Sequence, residues 1–102
     1  MESKIKFYGK LHNVTDEEKE LINQRLASFE EKNKNYFTEM HVNIDCQQGK
    51  ETFRGKHEFV CKVNLDSDRG RFHAEESQVG AENTIIGVLK KIERQIEKSK
   101  YS

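Results

Sequence analysis

The chain has 102 residues, 18 of them basic and 18 acidic, so its formal net charge is zero; 33% of it is hydrophobic and 35% charged. That length suits one domain with one modest core and no large enzyme cleft, and the charge balance removes overall basicity as a reason for binding nucleic acid. No run approaches the ~18 apolar residues that span a bilayer, and Met1 to Lys10 is too charged and too short for a signal peptide, so no membrane partner and a cytoplasmic location are expected.

Ile5 and Phe7 alternate with Lys4, Lys6 and Tyr8, the period of a half-buried strand, and Gly9 is expected to end it. Thr15 followed by Glu18 spells a capping box, in which the hydroxyl accepts from the Glu18 amide and the carboxylate reaches back to the cap amide. Asp16, Glu17, Glu18 and Glu20 place negative charge at the positive end of the helix dipole. A first helix over Asp16 to Asn33 follows, with Ile22, Leu26 and Phe29 as its core stripe and Leu21 widening it. Met40, Val42, Ile44 and Cys46 alternate with polar residues in a second strand, Gln47 to Arg54 reads as a loop, and Phe59, Cys61, Val63 and Leu65 define a third strand. Asp66 to Gly70 is a turn by composition, Phe72 and Ala74 mark a fourth strand, and a second helix runs from about Gly80 to Ser99.

The order is β-α-β-β-β-α. Each helix has one apolar stripe and each strand one apolar face, so the economical packing is an α+β two-layer sandwich with both helices on one face of a four-stranded sheet. Residues 1–102 are read as a single domain, since no repeat, low-complexity segment or linker interrupts them.

For catalysis the chain is poor. It contains no GxSxG, GxxxxGK[ST] or HExxH, so no enzyme, cofactor or small-molecule substrate is expected. Four histidines lie far apart without metal-ligand spacing, so no metal site is expected. Cys46 and Cys61 fall at inward strand positions and read as buried, reduced thiols.

The second helix holds the strongest functional signal. Ile85, Leu89, Ile92 and Ile96 form one stripe, and Gly87, Lys91, Arg94 and Lys98 form another nearly opposite. From Val88 to Ser102 five cations, Lys90, Lys91, Arg94, Lys98 and Lys100, face only Glu93 and Glu97. Gly87 on the same line would let a partner approach the helix backbone. Such a stripe fits either a phosphate-binding face or an ordinary solvated face whose cations suit the helix C-terminus. On the first helix, Arg25, Ser28 and Lys32 share a flank that could extend the surface. The outer sheet face, with Lys6, Tyr8, His41, Asn43, Glu58, Lys62, Arg71 and His73, has mixed charge and no row of aromatics for base stacking.

Several segments together resemble the ribosome hibernation-promoting factor and ribosome-associated inhibitor family. Ile5-Lys6-Phe7-Tyr8-Gly9 is similar to the family's I-x-I-x-G strand, and Val14-Thr15 with Ile22-Asn23-Gln24-Arg25-Leu26-Ala27 resembles its I-T…V-x-x-R-L-A helix. Gly70-Arg71-Phe72-His73-Ala74 looks like its G-x-I-H-A strand, and Lys91-Ile92-Glu93-Arg94-Gln95-Ile96 its K-L-E-R-Q-L segment. The resemblance implies a partner, the small ribosomal subunit, bound through rRNA in the channel for mRNA and tRNA, and silencing of idle ribosomes under stress or in stationary phase. It carries Arg25, Lys91 and Arg94 over as rRNA-binding positions; Lys32 and Lys98 extend the same faces, and Lys90 joins them on the second helix. Long family members add a C-terminal dimerisation domain, which these residues do not include, so any effect on ribosome dimers is expected to be indirect.

The chain departs from the family pattern in places: Gly80-Ala81-Glu82-Asn83-Thr84-Ile85 stands for D-M-Y-x-A-I, and Ser28 and Glu31 replace lysines. These changes keep open a divergent paralogue acting as a protein-interaction or regulatory module. A general double-stranded RNA binder is a third reading, for which the basic loop is missing. The oligomeric state leaves no mark in the sequence.

Overall fold

The computed structural model describes residues 3–10, 14–51 and 57–100. Its elements are β1 (Ile5–Lys10), α1 (Asp16–Asn33), β2 (Glu39–Glu51), β3 (His57–Ser67), β4 (Gly70–Val79) and α2 (Ala81–Lys100), in the order expected. They form the expected α+β sandwich, with a sheet ordered β1-β2-β3-β4. A helix returns the chain between β1 and β2, which therefore pair in parallel, whereas β2, β3 and β4 are joined as antiparallel neighbours.

The register lines up Ile5, Met40, Leu65 and Phe72 in one row and Phe7, Val42, Val63 and Ala74 in the next, all on the face that the helices cover. Ile22, Leu26 and Phe29 of α1 and Ile85, Val88, Leu89, Ile92 and Ile96 of α2 close the core from above. Two buried polar side chains are satisfied locally: Asn33 Nδ2 donates to the Phe29 carbonyl at 3.1 Å, and Thr84 Oγ1 to the Gly80 carbonyl at 2.8 Å.

Several local expectations are corrected. Gly9 does not end β1: it pairs with Ile44 at φ +149°, and a Cβ there would collide with the Ile44 carbonyl oxygen. Only glycine lets the two strands continue past that point. Leu21 is 41% exposed and lies outside the core stripe. Strand β2 continues through Gln47 to Glu51, where a loop was expected; the rest of that segment, 52–54, lies outside the described residues. The turn between β3 and β4 shrinks to Asp68 and Arg69, because Ser67 and Gly70 already pair. Both cysteines are free, but only Cys61 is buried; Cys46 is half-buried.

The capping box is half realised. Thr15 Oγ1 accepts from the Glu18 amide at 3.1 Å, but Glu18 Oε1 accepts from the Glu82 amide at 3.2 Å, in the first turn of α2. One carboxylate from the start of α1 thus serves the positive end of α2 and fixes how the helices meet.

Candidate nucleic-acid interface

The buried stripe of α2 rests on β3 and β4, and the opposite arc faces outward. Around that arc Lys90, Arg94 and Lys98 follow one another at four-residue spacing, each turned about 40° from the last. All three are exposed, and among the described residues none makes a side-chain hydrogen bond or ion pair. They form a basic ridge without bonded partners, flanked by Glu93 and Glu97, which line one hollow with Lys90 and Arg94.

Lys91 is on the next arc and behaves differently. Its Nζ donates to the Glu75 carbonyl at 2.8 Å and lies 3.7 Å from Glu76 Oε1, both on β4. Gln95, one turn further on, donates to the His73 carbonyl at 2.7 Å. These carbonyls belong to an edge strand, where alternate backbone groups point away from the sheet. Gly87 is half-buried beside the Glu76 side chain: a Cβ there would stand 2.6 Å from Glu76 Oε2, and both residues line a hollow of about 310 Å³ with Lys90, Lys91 and Arg94. The sequence reading missed Gln95 and Glu76, since spacing along α2 does not reveal which strand lies beneath it.

On the other side of the ridge, α2 faces α1. Lys32 Nζ lies 3.0 Å from Glu93 Oε2, and Arg25 Nε lies 3.9 Å from Glu82 Oε2. The Lys32 and Arg25 side chains are 71% and 55% exposed. Pairs so wetted contribute little stability, and a phosphate can compete for the cation. Between the helices lies a cleft of about 210 Å³, walled by Arg25, Ser28, Phe29 and Lys32 of α1 and Ile86, Leu89, Lys90 and Glu93 of α2. The structure therefore brings Arg25, Lys32 and Lys90 around one cleft, places Arg94 next to Lys90, carries Lys98 further round the helix away from the cleft, and bonds Lys91 to the sheet edge.

The outer sheet face holds the residues expected on it, and Tyr8 stacks on His41 at 6.0 Å between ring centroids. Glu39, Asp45, Asp66 and Glu75 share that face. Among the described residues no group of three or more His, Cys, Asp or Glu is placed to hold a metal ion, and no helix is long and apolar enough to cross a membrane. Burial pushes the Cys61 thiol up from 9.0 to about 12, which keeps it protonated and unreactive.

The family described as Hibernation factor Hib, C-terminal domain, matches residues 4–102. Among solved structures, the fold is similar to a ribosomal subunit interface protein from Coxiella burnetii, with a TM-score of 0.71 and 14% identity over 96% of this chain and 98% of that one. It is also similar to the N-terminal domain of Thermus thermophilus Protein Y, with a TM-score of 0.53 and 16% identity over 90% of this chain and 92% of that one. At such identities the likeness is one of fold. No curated protein matches the sequence.

Proposed function

Because the chain belongs to the family of hibernation factor Hib C-terminal domains, we propose that it is a non-enzymatic, ribosome-associated factor that silences translation by occupying the mRNA and tRNA channel of the small ribosomal subunit. The observation that carries this reading is the Lys90, Arg94 and Lys98 ridge, whose three cations have no acidic partner among the described residues. Such a ridge meets rRNA phosphates without first breaking an internal pair, and the sheet beneath holds it at fixed spacing. Arg25 and Lys32 extend the surface across the cleft once their exposed carboxylate partners exchange for phosphates. Lys91 adds its charge at the margin while keeping its bond to β4. On this reading the protein works in the cytoplasm, on idle ribosomes under stress or in stationary phase.

A second reading, a module for protein partners, is favoured by the acidic balance among the described side chains of the outer sheet face, where Glu39, Asp45, Glu58, Asp66 and Glu75 outnumber Lys6, Lys62 and Arg71. Co-sedimentation with purified small subunits across a salt series separates the two. The first reading expects salt-sensitive pelleting that an Arg94→Glu/Lys98→Glu variant loses while staying folded. If the wild type fails to pellet at low salt, the channel reading is wrong and the sheet face becomes the surface to pursue.

A further inference from the structure

On the ribosome-binding reading above, we propose that the cleft between α1 and α2 receives one unstacked nucleobase bearing an exocyclic amino group, with its flanking phosphates held by Arg25, Lys32 and Lys90. The floor is apolar: Phe29 and Leu89 are 3% and 5% exposed, and Ile86 is half-buried. The cleft measures about 210 Å³, and an apolar cavity of about 150 Å³ already accepts a benzene ring. A planar base therefore fits by volume, and the part that enters rests on the Phe29, Leu89 and Ile86 floor.

The rim supplies what a base and its backbone need and what an apolar protein side chain would leave unused. Arg25 and Lys32 lie two helical turns apart on one wall, and Lys90 stands on the other. Ser28 makes no side-chain hydrogen bond among the described residues. Glu93 Oε2 accepts from Lys32 Nζ at 3.0 Å, and its Oε1 has no partner among the described residues, so it can accept from an amino group. Cytosine, adenine and guanine carry such a donor; uracil does not. An incoming phosphate that takes Lys32 frees the rest of the Glu93 carboxylate for the base. Single-stranded RNA is the form in which bases can be splayed out in this way.

Fluorescence titration of the purified protein with three oligomers of equal phosphate number, oligocytidylate, oligouridylate and an abasic ribose-phosphate chain, tests the assignment. The expected ranking is cytidylate tightest, roughly tenfold over uridylate, and the abasic chain weakest. Ser28→Leu and, from the opposite wall, Ile86→Phe fill the cleft while keeping every cation; whichever stays folded should bind all three oligomers at the abasic level with an unchanged salt slope. Equal binding of the three oligomers by the wild type, retention of the ranking by a filled variant, or no binding at low salt overturns the proposal. Pelleting with small subunits is read separately. If it persists without base discrimination, the cleft assignment falls and the ribosome reading stands; if discrimination occurs without pelleting, the reverse holds.

Discussion

Two neighbouring arcs of α2 carry similar side chains and do different work. Lys90, Arg94 and Lys98 project into solvent with no polar partner among the described residues, whereas Lys91 and Gln95 are bonded to the carbonyls of Glu75 and His73 on β4. Counting cations along the helix treats Lys91 and Arg94 as equals. The sheet edge beneath makes them unequal, because a charge already holding a backbone group is only partly available to a ligand. The largest expected effect tests this asymmetry. Arg94→Ala/Lys98→Ala should lower the slope of log affinity against log salt for small subunits by about two and leave the melting temperature nearly unchanged. A slope equal to the wild type's would mean that the ridge is an ordinary solvated face.

The converse variant should change stability before binding. Lys91→Ala/Gln95→Ala strips two hydrogen bonds from the outer edge of β4, and at about 1 kcal/mol each the urea midpoint should fall clearly. Affinity per folded molecule should stay within about threefold at moderate salt, since at most one exposed charge is lost. Exposed carbonyls on an edge strand also invite pairing with another chain, so sedimentation should detect more self-association than in the wild type. A stable variant with collapsed ribosome affinity would reverse the assignment of the two arcs.

The platform under both arcs must stay dry and neutral, and Cys61 reports on that. With its thiol raised from 9.0 to about 12, the folded state favours the protonated form. Its contribution to stability is complete below pH 9 and is lost as pH rises toward 12. Wild type should therefore lose stability across that window more steeply than Cys61→Val. At neutral pH, alkylation should modify half-buried Cys46 well before Cys61.

The architecture was readable because local signals agreed. The α1 limits followed from the Thr15 cap and the aliphatic spacing, and each strand announced its buried face by alternation. What escaped were features set by contacts distant in sequence. Gly9 looks like punctuation until Ile44 is found against it. Glu18 reads as half of its own helix's cap, yet its carboxylate bonds Glu82, 64 residues away. Gly87 and Lys91 look open to a partner on the helix wheel, and only the placement of β4 shows Glu76 there. The cleft was no more legible: Ser28 and Ile86 carry no motif, and they become neighbours only when the helices pack.

The smallest expected effect concerns the paired cations across the cleft. The Lys32 to Glu93 bridge is short at 3.0 Å, but the two side chains remain 71% and 35% exposed. Exposed pairs of this kind are worth roughly 0.5 kcal/mol, so Lys32→Ala should shift the urea midpoint only slightly, and less at high salt. Its consequence for binding depends on which partner Lys32 serves in the complex. If the lysine exchanges Glu93 for a phosphate, Lys32→Ala should lower the salt slope by about one, and a Lys32→Ala/Glu93→Gln variant should show the same decrement. If Lys32 stays with Glu93 when the subunit is bound, Lys32→Ala should leave the slope where it was, and the usable surface would contract to the unpartnered ridge of α2.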